Sequence, residues 1–155
     1  MESGVPPVPP FYRDAATAAR ITLVSESFIR LTGQVLPRGS EGDIVEGLWR
    51  SPQAIVAHGT EDDPLFFFGN AQALAAFETD AAAFIGMPSR YSAEAPDRAE
   101  RQHLLDQVTH DGFISDYAGI RITATGRHFR IAGATVWNLV DADGTCHGQA
   151  ATFVP

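Results

Sequence analysis

The chain has 155 residues, 45% of them hydrophobic and 19% charged, a length that fits one globular domain. Its 11 basic residues are all arginine and stand against 19 acidic ones, for a net charge of -8. That balance argues against a nucleic-acid partner, which needs a basic stripe, and the lack of lysine excludes Schiff-base chemistry and a P-loop.

In chain order, residues 1–10 form a Pro-rich leader expected to be disordered, because Pro6, Pro7, Pro9 and Pro10 forbid helix. The start MESGVPPVPPF has neither the basic nor the apolar region of a signal peptide, and no apolar run approaches the roughly 18 residues that span a bilayer. The lone Cys146 cannot close an internal disulfide. Together these features lead us to expect a cytoplasmic protein with no membrane partner.

Residues 11–38 carry the N-terminal helix, predicted from about Tyr12 to Leu36. Ile21, Val24, Phe28, Leu31 and Val35 recur every three or four residues along one face of a helix about 35 Å long. Such a stripe needs a cover, which is either another subunit or the domain's own sheet. The expectation favours a homodimer with these five residues at its interface.

Residues 43–155 form the main domain. Asp43 is a plausible N-cap for a short helix through Ile44, Val45, Leu48 and Trp49. Pro52 to His58 reads as a strand, His58 to Pro64 as a polar turn, and Leu65 to Phe68 as a second strand ended by Gly69-Asn70. Asn70 suits the cap of the next helix, and Thr79-Asp80 opens another. After an irregular stretch from Met87 to Pro96, Asp97 caps a longer helix with Leu104, Leu105 and Val108 inward. Arg98, Glu100, Arg101, Asp106 and Gln107 are expected in solvent. Phe113 to Thr123, Arg127 to Val140 and Thr145 to Val154 read as an antiparallel meander. The class is α+β, a five-stranded antiparallel sheet with short helices and one long helix on one face.

This order resembles the PAS sensor fold. More narrowly, His58-Gly59, Asp63-Pro64, Phe68-Gly69-Asn70, Pro88-Ser89-Arg90 with Ser92-Ala93-Glu94, Tyr117-Ala118-Gly119-Ile120-Arg121, Arg127 with Phe129-Arg130-Ile131, Trp137-Asn138 and Gly148-Gln149-Ala150-Ala151 resemble the MEKHLA domain over roughly Ile44 to Phe153. MEKHLA domains are PAS-like modules, found alone in bacteria and at the C-terminus of plant class III homeodomain-leucine zipper transcription factors. The resemblance implies a sensory or dimer-controlling module and supplies no ligand.

The residues themselves offer several candidates. His58 beside Glu61, Asp62 and Asp63 could serve acid-base chemistry, although a loop so rich in carboxylates is most simply a solvated turn. His103 on the long helix stands where a haem-binding PAS domain presents its axial ligand, but its polar neighbours suggest a surface histidine. A photoactive flavin domain needs an Asn-Cys motif on the helical side, whereas Cys146 sits on a late strand. Asp141-Ala142-Asp143-Gly144 reads as a hairpin turn, and no metal or catalytic set stands out.

Strand alternation puts Tyr117, Gly119, Arg121 and Thr123 on one face and Ala118, Ile120 and Ile122 on the other. Arg121 is external if the Ile face meets the helices, and needs a partner if buried. Arg90 on an irregular loop could join it to clamp a small carboxylate, with a structural ion pair as the simpler alternative. Trp137 and Gln149 complete the ligand-binding candidates, Gln149 because the final strand of PAS-like folds borders the cavity. The expectation is a non-enzymatic sensory or interaction module binding a small ligand or a protein partner. Its alternative is a small α+β isomerase or hydrolase with an acid-base histidine such as His58, and a His-carboxylate pair in the pocket would favour the enzyme.

Overall fold

The computed structural model describes residues 5–94 and 97–155. Met1 to Gly4 of the expected leader, and Ala95 and Pro96 of the expected irregular stretch, lie outside the described residues. The rest of the leader is anchored. Val5 and Val8 pack on the core, and Trp49 Nε1 donates to Pro6 O at 2.7 Å. The expected disorder therefore does not extend to these residues, because an indole N–H beneath them needs an acceptor. A 3-10 turn over Pro10–Arg13 follows and buries Tyr12 completely.

The N-terminal helix α1 spans Ala15–Thr32. It stops short of the expected Leu36 because Gly33 adopts a left-handed backbone (φ 73°) and its N–H closes on Ile29 O at 2.9 Å. Val35 thus lies beyond the helix and is 63% exposed, outside the stripe assigned to it. Helix α2 covers Ile44–Trp49, capped by Asp43, whose side chain accepts from Glu46 N. Strands β1 (Ala54–His58) and β2 (Phe66–Gly69) form the first hairpin. Helices α3 (Ala71–Ala76) and α4 (Ala81–Phe84) are capped by Asn70 and Asp80. Helix α5 runs over Arg98–Asp111, where Asp97 holds the cap position without a side-chain cap bond. Strands β3 (Phe113–Ile122), β4 (His128–Val140) and β5 (Cys146–Phe153) make the meander.

The strands form one antiparallel sheet of five in the order β2-β1-β5-β4-β3, so the last strand inserts beside the first. Cross-strand registers sort the side chains. Val56, Ala151 and Val136 stand opposite one another, as do His58, Gln149 and Asn138, and both rows share the face covered by α5. The intervening Ile55, Trp137, Leu139 and Ala150 belong to the opposite face.

Helix α1 covers that opposite face. Ile21 and Val24 are fully buried and Phe28 nearly so, with the Phe28 ring edge-on to Trp137 at 4.7 Å. Trp137 Nε1 donates to Val24 O at 3.2 Å, and Ser27 Oγ both donates to Val140 O and accepts from Val140 N. Leu31 is half-buried against the same core. The stripe expected at a dimer interface is therefore committed to the chain's own sheet, through Ile21, Val24 and Phe28. Burial of that apolar face within one chain removes the force that would have driven it onto a second.

Candidate functional site

Between the sheet and α5 lies a cavity of about 50 Å³ whose walls include Val56, Leu104, Ile131, Val136, Ala151 and Phe153. Four of its lining residues, His58, Arg101, Leu105 and Gln149, also line an outer vestibule of about 560 Å³ floored by the 59–64 loop, so these side chains are what separates the two spaces. The polar residues of the inner cavity are His58, Ser92, Arg101, Tyr117, Arg121 and Gln149.

His58 ends β1 and is 8% exposed. Its Nδ1 donates to Gly59 O at 3.0 Å, which leaves Nε2 as the acceptor of a neutral ring. That Nε2 is the one buried side-chain nitrogen or oxygen among the described residues with no hydrogen-bond partner. Burial is the main cause of a ring pKa pushed down to about 4; the Gly59 bond opposes the shift, the Arg101 charge adds to it, and Glu61 opposes it. Gly148 permits this packing. It has φ 142°, and a Cβ there would stand 1.9 Å from His58 O, so no side chain fits where β5 crosses the end of β1.

A histidine held neutral in the fold makes stability pH-dependent with a definite sign. The folded pKa is lowered below the ordinary 6.5, so the unfolded chain binds more protons between that value and about 4. The stabilisation is complete above pH 6.5 and is lost as pH falls through this window, by roughly 3 kcal/mol. Urea unfolding of the wild type and His58→Asn at pH 7, 5.5 and 4.5 checks this. The wild type is expected to lose more stability than the variant, and parallel losses would refute the assignment.

Arg101 is 7% exposed, contrary to the solvent position expected for it. Its Nη2 donates to Ser89 Oγ at 2.9 Å, and Ser89 in turn is held by the 89–92 turn, where Ser92 Oγ donates to Ser89 O. Arg121 is also 7% exposed; Nη1 donates to Ile120 O at 2.9 Å and Nη2 to Tyr117 Oη at 3.3 Å. Among the described residues neither guanidinium has a carboxylate within ion-pair distance, and Arg121 is linked to an acid through Tyr117, whose hydroxyl donates to Glu100 at 2.9 Å. Burial, then the neighbouring Arg121 charge, lowers the Arg101 pKa to about 10, with Tyr117 opposing, so it stays protonated at neutral pH. Burial first raises the Tyr117 phenol.

The structure brings together His58, Tyr117, Arg121 and Gln149 of the expected site and leaves two others out. Arg90 is exposed on the vestibule rim, where its Nε donates to Asp63 Oδ1 at 3.1 Å, so a carboxylate of the loop already pairs with it. Trp137 faces α1, on the far side of the sheet, because alternation from Val136 turns it away. Gln149 lines the cavity, but its Nε2 contacts Leu105 O, Thr109 Oγ1 and Asn138 Oδ1, tying α5 to the sheet. Arg101 is the residue that sequence reasoning missed. The signal was its spacing, since Arg101 lies three, four and seven residues before Leu104, Leu105 and Val108 and so belongs to their buried stripe.

The remaining candidates stand apart. His103 is exposed on α5 and does not line the cavity, and about 50 Å³ is far below the roughly 300–1,000 Å³ of pockets that hold larger ligands. Cys146 is exposed at the start of β5 with its thiol on Gly148 O and is not among the residues lining the cavity, so it is not placed as the cysteine of a photoactive flavin domain. Asp141 closes the β4–β5 turn by accepting from Asp143 N and Thr145 N, and its other oxygen meets His147 Nε2 at 2.8 Å. Among the described residues, no group of three His, Cys, Asp or Glu side chains could hold a metal ion, and no helix is long and apolar enough to cross a membrane.

The model of the MEKHLA domain matches residues 18–155. The chain belongs to the MEKHLA domain family. The match begins inside α1, so Ile21, Val24 and Phe28, which cover the sheet, lie within the family's extent. The homeobox-leucine zipper protein HOX29 of Oryza sativa, subspecies indica and japonica alike, is 27% identical over 138 residues, covering 87% of this chain and 16% of that protein. This chain thus spans about a sixth of the length of those curated relatives.

Solved structures agree on the fold. The PAS domain of a Colwellia psychrerythraea protein superposes with a TM-score of 0.60 at 12% identity, covering 68% of this chain and 87% of that one. A light-oxygen-voltage domain studied with a flavin analogue gives 0.56 at 12% identity, covering 65% of this chain and 75% of that one. A blue-light activated histidine kinase of Erythrobacter litoralis gives 0.57 at 15% identity over 69% of this chain and 34% of that one. The MEKHLA domain here is a PAS-like sheet with α5 laid across its inner face.

Proposed function

We propose that this MEKHLA domain is a non-enzymatic sensory module that takes up a small molecule between its sheet and α5. The observation that carries this reading is the unpartnered His58 Nε2 beside a small, mostly apolar cavity. A buried polar atom without a partner costs about 1–3 kcal/mol, and a ligand that supplies the partner recovers it. A PAS-like scaffold with α5 bonded to the sheet through Gln149 offers a route outward, because filling the cavity would load the bonds from Gln149 to Leu105 and Thr109. The acid-base enzyme has weaker support, since His58 Nδ1 engages a backbone carbonyl and not a carboxylate.

Native mass spectrometry of the freshly purified chain, paired with a visible absorption spectrum, tests the reading. A defined extra mass of small-molecule size is the expected result. A protein that stays bare, and whose melting temperature no small-molecule set shifts, would overturn it in favour of a protein-interaction module. The same measurement reports stoichiometry. A dimer, in this reading, forms through a surface other than the Ile21, Val24 and Phe28 stripe.

A further inference from the structure

The geometry points to a short hydroxycarboxylate, of the size of glycolate or lactate, as the molecule that fills the cavity, a proposal that rests on the sensory reading above. Arg101 and Arg121 both line the cavity, both are buried, the charge of Arg121 acts on Arg101, and among the described residues neither has a carboxylate within ion-pair distance. Two buried like charges are tolerated when an anion joins them, and a guanidinium fork matches the planar carboxylate. Arg101 uses one nitrogen on Ser89 Oγ and Arg121 uses its two terminal nitrogens on Ile120 O and Tyr117 Oη, so Arg101 keeps most of its donors for a ligand.

His58 adds the second requirement. Its Nε2 is an acceptor, so the ligand must bring a donor as well as an anion. A hydroxyl on the carbon beside the carboxylate supplies that donor in a molecule of few atoms, as about 50 Å³ demands. Leu104, Val136 and Ala151 supply an apolar wall, which favours an anion with a carbon body over inorganic phosphate. An ammonium donor is disfavoured by the two neighbouring guanidiniums.

Calorimetric titration of the full chain at neutral pH and low salt with glycolate, lactate, acetate and inorganic phosphate tests the proposal. We expect one site per chain, with glycolate and lactate at least about tenfold tighter than acetate, because acetate leaves His58 Nε2 unpaired. Arg101→Gln and Arg121→Gln are expected to weaken glycolate at least about tenfold, and His58→Phe to remove the preference for glycolate over acetate. If a variant fails to fold, the wild-type comparison of glycolate with acetate still decides. Equal binding of the two, tighter binding of phosphate, or no heat from any carboxylate at about 10 mM would overturn the proposal. The two levels fail differently. A neutral molecule retained in native mass spectrometry, with no carboxylate binding, sinks the hydroxycarboxylate and leaves the sensor. A bare protein that binds none of the four probes, and whose melting temperature no small-molecule set shifts, sinks both.

Discussion

Replacing Asn70 with alanine is expected to remove on the order of 4 kcal/mol of stability, a large share of the roughly 5–15 kcal/mol of a typical domain. Asn70 is fully buried at the junction of β2 and α3, and every polar position of its side chain is engaged. Oδ1 accepts from Ile55 N at 2.9 Å and from Ala73 N at 3.0 Å, while Nδ2 donates to Leu48 O at 3.0 Å and Gln53 O at 2.8 Å. One residue thus caps α3, starts β1 and holds the end of α2. Alanine fills little of the space and leaves two N–H and two C=O groups short of partners away from solvent. Aspartate keeps the acceptor but loses both donations and buries a charge, so it should fare no better. Urea unfolding followed by circular dichroism measures both; a loss below about 1 kcal/mol would mean that water replaces the amide.

Phe28→Asp is expected to unfold the chain and not to split a dimer. The Phe28 ring lies edge-on to Trp137 and is 7% exposed within a single chain. Deleting such a ring costs roughly 3–5 kcal/mol, and a carboxylate in its place adds the cost of burying a charge. The measurements are near-ultraviolet circular dichroism, which reports the Trp137 environment, and hydrodynamic mass. A folded variant with the wild-type tryptophan signal and half the wild-type mass would show that the stripe serves a subunit contact after all.

The helix was legible in its period and not in its partner. Ile21, Val24 and Phe28 fall on one stripe whichever surface covers them, and a stripe carries no information about what lies opposite. Only the juxtaposition of α1 with β4, fixed by Ser27 on Val140 and Val24 O on the Trp137 indole, assigns it to the chain's own sheet. Strand β3 gives a similar lesson. Alternation correctly put Tyr117 and Arg121 on one face and Ile120 on the other, but Ile120 is 37% exposed and Arg121 is buried. The side met by α5 decided between the two readings left open for Arg121, because in a strand at the sheet edge with a polar residue on one face and isoleucine on the other, alternation alone does not say which face is covered.

The candidate site was half legible. Gln149, His58, Tyr117 and Arg121 were marked by polar side chains in apolar strands or at their ends, which is a local signal. Arg101 was not, because a charged residue on an otherwise polar helix reads as solvated unless its place in the Leu104-Leu105-Val108 stripe is weighed first. Arg90 drew attention for its loop and proved to be Asp63's partner, a pairing across 27 positions of sequence.

By itself the sequence determined the order of the elements, the caps at Asp43, Asn70 and Asp80, the turns and the family motifs. Those depend on residues a few positions apart, where backbone geometry leaves few choices. Tertiary contacts alone decided which layer α1 covers and, among the described residues, that the guanidiniums of Arg101 and Arg121 share a cavity with no carboxylate in its lining and that His58 keeps an unpaired nitrogen there. Desolvation and charge compensation are set by what approaches within a few ångströms from distant parts of the chain, and sequence spacing does not encode those distances.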